Sequence, residues 1–195
     1  MVDCGCRRHS VLRASLCAGL LFSLALTQVT CSTAARELQY ATLELRSASF
    51  YGDTIPNAFS SCNGQGNLSP QLSWSTPPKG TRSFTLVVVD RDSPLWWNFV
   101  HWLIYDVPAD KRELAEAVAK QEQLPDGSRQ GRNGYDQTGY VGPCPPGHSP
   151  HHYVFTLFAL DTKLNLPGGA SKKQVINAIK GHILASGELV GQFQR

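Results

Sequence analysis

Charged side chains are scarce in this chain of 195 residues, where they make up 17% of the total. So low a fraction disfavours long solvated helices and disordered tails as the main part of the structure. The formal net charge of +3 is also uneven, because residues 1–35 carry three arginines and one aspartate and leave 15 basic and 14 acidic residues in the remainder. A near-neutral domain has no electrostatic basis for binding nucleic acid, and we expect none.

Long apolar runs are also missing. The N-terminal stretch 14–26 (ASLCAGLLFSLAL) is apolar but too short and too interrupted to favour a transmembrane helix. It is preceded by three basic residues and followed by small residues at 31–35; the basic residues are Arg7, Arg8 and Arg13. A basic start, a short apolar block and a cluster of small residues are typical of a secretory signal peptide.

The N-terminal pattern therefore predicts a signal peptide over residues 1–35 and a single domain over 36–195. Cleavage near Ala35 would leave a soluble exported protein, whereas cleavage at Cys31 would leave a lipoprotein; an uncleaved membrane anchor is a third reading. We expect an exported location, periplasmic or secreted, with membrane contact only if the chain is lipid-anchored at Cys31. The oligomeric state stays open.

Cysteines are few beyond this segment. Of six, all but Cys62 and Cys144 lie in or beside residues 1–35. Two cysteines in an oxidising compartment are a candidate disulfide, although spacing alone does not establish the pairing. They do not form a CxxC pair and no metal-ligand grouping surrounds them, so a structural zinc site is disfavoured. We expect neither a metal nor a cofactor.

The domain is predicted to be mainly β, of the α+β class. Three apolar, β-branched runs predict core strands buried on both faces, at Ser83–Asp90, Val100–Val107 and Tyr153–Leu160. Alternation predicts further strands at Thr42–Ser49 and Glu188–Arg195, and Leu72–Trp74 interrupts a loop-rich stretch. Helix formers and capping residues predict helices at Asp110–Gln123 and Ser171–Ile183.

Polar residues stand where the buried strands end. Asp90 and Asp92 follow the first core strand directly, and His101 lies inside the next one. The loop Gly142–Gly147 (GPCPPG) leads to His151 and Tyr153 at the start of the third. Ionisable groups at strand ends beside a rigid Gly/Pro loop indicate a small polar pocket.

The order of these motifs resembles the phosphatidylethanolamine-binding proteins, in particular the bacterial YbhB/YbcL-type branch that is often labelled Raf kinase inhibitor-like. The resemblance rests on D-x-D-x-P at residues 90–94, H-W at 101–102, GPCPPG and H-x-Y at 151–153, with Asn67–Trp74 and Gly131–Asn133 in support. It covers roughly Leu43 to Arg195. It implies a central antiparallel sheet with a smaller second sheet and flanking helices.

The resemblance also implies the residues of a binding pocket for a small anion, such as phosphate or a phospholipid headgroup. They are Asp90, His101, Cys144, Pro146, His151 and Tyr153. Further candidates for the rim are Arg91, Asp92 and Trp97. Arg91 and His152 depart from the family's usual residues, and we expect His152 to point away from His151 and Tyr153 because side chains alternate along a strand. Asp90 is expected to orient one of the two histidines and raise its pKa.

Three functions are compatible with this pattern. The favoured one is an exported binding protein for a small phosphorylated ligand or phospholipid headgroup. The alternative is a hydrolase of phosphoryl or acyl esters in the same pocket, against which no nucleophile stands in a recognisable elbow. Cys144 is the one candidate nucleophile, and a disulfide with Cys62 would block it. Modulation of a protein kinase or another protein partner ranks last. We therefore predict no catalytic residues.

Overall fold

A computed structural model of the chain describes residues 40–64, 66–93 and 99–195. The predicted signal peptide, with its cleavage positions Cys31 and Ala35, lies outside the described residues, as does the rim candidate Trp97. The boundary of the domain at residue 36 therefore stays a prediction.

The described residues form nine strands and one α-helix. In chain order they are β1 (Ala41–Thr42), β2 (Leu45–Arg46), β3 (Leu72–Trp74), β4 (Ser83–Asp90), β5 (Phe99–Pro108), β6 (Glu113–Leu114), β7 (Arg129–Gln130), β8 (His151–Leu160), α1 (Lys172–Ile179) and β9 (Ile183–Phe193). Single 3₁₀ turns occur at Asn57–Phe59 and Cys62–Gly64.

The strands form two sheets. A six-stranded sheet has the order β1-β9-β8-β4-β5-β7, and a three-stranded sheet has the order β2-β3-β6. Every pairing is antiparallel except that of β1 with β9. The predicted mainly β architecture with a large and a small sheet is therefore confirmed.

The three predicted core strands occupy adjacent places in the large sheet, as β8, β4 and β5. Nearly every residue of β4 and β5 is buried, because one face packs toward the small sheet and the other is covered by α1 and its flanking segments. Strands buried on both faces need continuous apolar sequence, which is why these segments are recognisable without a structure.

The predicted second helix is present but shorter, as α1. Ser171 caps it: its hydroxyl accepts from the backbone N–H of Gln174, and the Gln174 side chain reaches back to the Ser171 N–H. Val175 and Ile179 are its buried residues. The last predicted residue of this helix, Ile183, instead begins β9.

The predicted helix over Asp110–Gln123 is wrong, so the described residues contain one flanking helix rather than two. Within it, Glu113–Leu114 forms β6 on the edge of the small sheet and buries Leu114. The backbone N–H groups of Ala117 and Val118 donate to Ser69 rather than to a preceding helical turn. Sheet pairing and loop hydrogen bonds have overridden helix propensity, which is a weak preference.

No helix among the described residues has the length and apolarity needed to cross a membrane.

Candidate functional site

Strand register brings three residues level at one end of the large sheet. Asp90, the last residue of β4, is paired with Phe99 of β5 on one side and with Tyr153 of β8 on the other. Directly paired residues point to the same face. His151, two residues before Tyr153 on β8, shares that face because side chains alternate with a period of two.

A β-bulge adds His101 to this group. Along β5, Trp102 is paired with Val88 and Val100 with Val89, so that one extra residue, His101, stands between two consecutive partners on β4. Val100 packs on the opposite side of the sheet, toward α1, in a cluster with Val87 and Leu103. The bulge turns the ring of His101 to the face of Tyr153, and the two ring centroids lie 4.9 Å apart.

These residues line a small cavity of about 130 Å³. This is well below the roughly 300–1,000 Å³ of pockets for drug-sized ligands, so it suits a small chemical group. Each predicted ligand-binding residue is in its lining. The complete lining is Asp90, Ser93, Phe99, His101, Tyr135, Gly142, Cys144, Pro145, Pro146, His151 and Tyr153.

Asp90 and His151 form a buried pair. Nδ1 of His151 lies 2.8 Å from Oδ2 of Asp90, and both side chains are about nine-tenths buried. A carboxylate only accepts hydrogen bonds, so Nδ1 carries a hydrogen and Nε2 is the ring nitrogen left for a ligand. The other carboxylate oxygen of Asp90 accepts from the backbone N–H of Asp92. Asp90 therefore orients His151 rather than His101.

His101 is held by the backbone instead. Its Nδ1 lies 2.7 Å from the carbonyl oxygen of Val141, in the loop that leads to the GPCPPG motif. Burial lowers the pKa of His101 to about 4, although the Val141 carbonyl and the Asp90 carboxylate act in the opposite direction. Asp90 thus raises the pKa of His101, as expected, but the cost of burying the charge is larger and leaves the pKa below its ordinary value.

Tyr153 contributes a hydroxyl group to the site. Its oxygen is buried and has no hydrogen-bond partner among the described residues. Burial and the nearby acids Asp90 and Asp92 all raise the pKa of Tyr153, so the phenol keeps its proton and can donate it to an acceptor. A buried hydroxyl without a partner costs about 1–3 kcal/mol, and such groups often mark a ligand position.

The GPCPPG loop closes the cavity and is tied to the segment around the two 3₁₀ turns. The backbone N–H of Gly142 donates to Oδ1 of Asn67, and the Ser61 hydroxyl donates to the Gly142 carbonyl. A Cβ at Gly142 would lie 2.2 Å from the carbonyl oxygen of Phe59, so only glycine permits this approach. The structure also pairs Cys144 with Cys62 in a disulfide, with Cα atoms 5.1 Å apart.

The two rim candidates among the described residues, Arg91 and Asp92, are not part of the cavity lining. Arg91 is exposed, and its backbone N–H donates to the His152 carbonyl. The Asp92 carboxylate accepts from both the backbone N–H and the ring of His152, at 2.6 and 2.7 Å. Burial pushes the pKa of Asp92 upward, but these hydrogen bonds outweigh it and leave the pKa below its ordinary value. His152 thus points away from the pocket residues, as alternation predicts.

Sequence reasoning missed several lining residues. Phe99 could have been found from its spacing, since it lies two residues before His101 on the same strand. Tyr135 lies in the turn after Asn133, and its ring meets the edge of Phe99 with centroids 5.0 Å apart. No sequence signal distinguishes it from other loop tyrosines. Ser93, Gly142 and Pro145 lie within the D-x-D-x-P and GPCPPG motifs, beside the residues predicted to bind the ligand.

No group of three or more His, Cys, Asp or Glu side chains in the described part of the chain is arranged to hold a metal ion.

The sequence matches the family model described as phosphatidylethanolamine-binding protein over residues 46–194. The chain belongs to this family. The match covers every residue of the candidate site and the strands from β3 to β9, so the family resemblance of the motifs and the fold agree.

Several bacterial proteins are similar over most of the chain. A UPF0098 protein of Aquifex aeolicus is 42% identical over 80% of this chain and 90% of its own length. UPF0098 protein YbhB of Escherichia coli is 36% identical over 73% of this chain and 93% of its own. The crystal structure of E. coli YbcL is 32% identical, covers 80% of this chain and 99% of its own, and superposes with a TM-score of 0.73.

Proposed function

We propose that this member of the phosphatidylethanolamine-binding family is an exported protein that binds a small phosphate-type oxyanion, free or as a headgroup, in the cavity at the ends of β4, β5 and β8. The observation that carries the proposal is the buried hydroxyl of Tyr153, which has no hydrogen-bond partner within the described part of the chain and lies beside the Asp90–His151 pair. The hydroxyl donates to an anion oxygen, and Nε2 of His151 donates a second hydrogen bond when it carries a proton.

The remaining lining supports a ligand with an organic part. Phe99 and Tyr135 form an edge-to-face pair on one side of the cavity, and Pro145 and Pro146 stand in the closing loop. Apolar walls with a few converging polar groups are the usual composition of a small-molecule site. Binding rather than catalysis is favoured because Cys144, the candidate nucleophile, is paired with Cys62.

Export is part of the same proposal. It rests on the basic start, apolar block and small residues of segment 1–35. The Cys62–Cys144 bridge suits an oxidising compartment, where such bonds persist. N-terminal sequencing of the exported protein should find a chain that begins after Ala35 or at a lipid-modified Cys31. A mature chain that begins near Met1 would remove this part of the proposal.

Identification of the bound ligand tests the function. Native mass spectrometry of the protein purified from its own compartment should show an adduct that contains phosphorus and is lost in a Tyr153→Phe, His151→Ala double variant. An adduct kept by the variant would place the ligand elsewhere. Release of product from a chromogenic phosphate or acetyl ester by the wild type, abolished in the same variant, would favour the hydrolase instead.

A further inference from the structure

The two cysteines of the Cys62–Cys144 bridge differ in exposure. Cys62 is 6% exposed and belongs to the main core cluster, whereas Cys144 is half-buried and lines the cavity. An attacking thiolate needs access to one sulfur of a disulfide, and the rate of exchange depends on which sulfur it reaches. A thiol that approaches from the cavity therefore meets Cys144, while Cys62 is covered by the core.

The bridge also follows the last hydrogen bond that holds the GPCPPG loop. This bond joins the Pro143 carbonyl to the backbone N–H of Ser61, at 3.0 Å. Within the described residues, no hydrogen bond holds residues 144–150, and the chain is fixed again at His151, where β8 begins. Breaking the bond of Cys144 to its partner would therefore remove the attachment that holds this segment between its two ends.

The same segment forms one wall of the cavity. Cys144, Pro145 and Pro146 all belong to the lining. Proline restricts the backbone φ angle, so Pro145 and Pro146 keep their local shape and are expected to move with Cys144 when the bridge opens. Movement of this wall would widen a cavity whose volume is about 130 Å³ and separate the wall from a small group held there.

We propose that Cys144 is a site of thiol–disulfide exchange at which an external dithiol, such as a reduced Cys-x-x-Cys pair of a partner protein, opens the cavity, and that a bound ligand blocks this exchange. The exchange site depends on the exposure and the attachment of the bridge, whereas the block by ligand rests on the proposed function. Reduction of the bridge weakens ligand binding, so the protein releases its ligand where such a dithiol is present.

The exchange transfers two electrons from the dithiol to the bridge. One thiolate of the dithiol attacks the sulfur of Cys144 and forms a mixed disulfide, while the sulfur of Cys62 leaves as a thiolate and takes a proton from water. The second thiolate of the dithiol then attacks its partner sulfur in the mixed disulfide. Cys144 leaves as a thiolate and is protonated in turn. The dithiol ends as a disulfide, and the protein carries two free thiols.

A ligand in the cavity occupies the approach to Cys144. The cavity has room for one small group, and an oxyanion held there by Tyr153 and His151 fills the space that an attacking thiolate needs. The oxyanion also repels a thiolate, since both carry negative charge. If the ligand-free protein alone reacts, a ligand at about ten times its Kd slows the exchange about tenfold by mass action.

Peptide mapping after brief treatment with a monothiol tests the exchange site. The oxidised protein, without denaturant, would be treated with glutathione and quenched with an alkylating agent, and mass spectrometry would locate the mixed disulfide. We expect it on Cys144, with Cys62 alkylated. A mixed disulfide on Cys62, or no exchange until the protein is unfolded, overturns the exchange site and leaves the proposed function intact.

Reduction by dithiothreitol with and without phosphoethanolamine tests the block by ligand. Calorimetric titration of the oxidised protein first gives the Kd, and phosphoethanolamine is then added at about ten times that concentration. We expect reduction of the wild type to slow about tenfold, and that of Tyr153→Phe to slow less because this variant binds more weakly. Tyr51→Phe is the matched control and should be protected like the wild type, since Tyr51 is 80% exposed and lies outside the lining.

The titrations also measure the effect of reduction on binding. The reduced protein, titrated in dithiothreitol, should bind phosphoethanolamine at least about tenfold more weakly than the oxidised protein. Equal affinity of the two forms, or equal reduction rates with and without bound ligand, overturns the coupling while binding by the cavity stands. Absence of binding by the oxidised protein overturns the proposed function and the block by ligand together, and the position of the mixed disulfide still decides the exchange site.

Discussion

The ring of His101 meets the ring of Tyr153 edge to face, with centroids 4.9 Å apart, because a β-bulge turns His101 to the face of the sheet that carries Tyr153. Strict alternation from Trp102 would have placed His101 under α1, on the other side. The bulge therefore determines whether this strand contributes to the cavity at all. The bulge also buries the imidazole of His101, and burial disfavours its protonation. The free energy of unfolding should therefore depend on pH through this residue.

Acid should destabilise the protein through His101. The pKa of His101 is about 4 in the folded protein against an ordinary value of 6.5, so the unfolded chain binds a proton first as pH falls. The contribution of the neutral His101 ring to the free energy of unfolding is fully present above pH 6.5. It is lost progressively down to pH 4, for a total of about 3 kcal/mol. Urea unfolding at a series of pH values measures the free energy of unfolding.

The His101→Gln variant isolates this contribution from those of other titrating groups. Its free energy of unfolding should change less than that of the wild type between pH 6.5 and 4. In the control His182→Gln, at a half-exposed histidine that pairs with Asp161, the contribution of the buried His101 ring should remain. Parallel curves for wild type and His101→Gln would show that the buried ring does not resist protonation.

Two buried tyrosines should respond differently to loss of the hydroxyl. Tyr153 has no partner for its hydroxyl among the described residues, whereas the Tyr140 hydroxyl donates to the Phe59 carbonyl at 2.8 Å. Tyr140→Phe should therefore lower the free energy of unfolding by about 1 kcal/mol and leave phosphate affinity unchanged. Tyr153→Phe should keep its stability and weaken phosphate binding about tenfold or more.

Thermal unfolding and calorimetric titration of the two variants check this pair of predictions. A loss of stability in Tyr153→Phe equal to that in Tyr140→Phe, with phosphate affinity retained, would mean that the Tyr153 hydroxyl serves the fold rather than the ligand.

The two neighbouring Asp–His pairs should differ in their effect on stability. Asp90–His151 is buried, while Asp92–His152 is more than one-third exposed. Asp90→Asn should cost about 1.5–3 kcal/mol because it removes a charged acceptor from a buried hydrogen bond. Asp92→Asn should cost only about 0–1 kcal/mol, since solvent screens an exposed pair. Urea unfolding at pH 7 compares them, and equal losses would contradict the difference in burial.

The strands that form the site could be predicted, but the contacts within it could not. Continuous apolar sequence predicts β4, β5 and β8 because burial on both faces imposes it. The motif order selects Asp90, His101, His151 and Tyr153. The bulge at His101 has no signal in the sequence, since it depends on pairing with β4. For the same reason the sequence alone does not determine which of the two histidines pairs with Asp90.

The wrong helix over Asp110–Gln123 has a related cause. Its helix formers have a local preference of a few tenths of a kcal/mol per residue, whereas Leu114 pairs with Leu72 of β3, which lies 42 positions away in the sequence. The contrast with α1 is instructive, because there Ser171 and Gln174 form a capping box from local sequence alone.

Loss of the Cys62–Cys144 bridge should loosen the loop that closes the cavity. The bridge joins residues 82 positions apart, and removal of such a bond typically costs about 2–5 kcal/mol. A Cys62→Ser, Cys144→Ser double variant should show this loss in urea unfolding, with weaker phosphate binding because the loop carries Pro145 and Pro146. Free reaction of both thiols of the native oxidised protein with an alkylating agent would show that no bridge forms.

Calorimetric titration of phosphoethanolamine at pH 6 tests the central claim most directly, with wild type, His151→Ala and His148→Ala compared under the same conditions. His148 is an exposed histidine between the GPCPPG motif and β8, and it lies outside the cavity lining. The account predicts that the wild type binds, that His151→Ala binds at least about tenfold more weakly through loss of a charge-assisted hydrogen bond, and that His148→Ala matches the wild type. Equal affinity in all three proteins would contradict it.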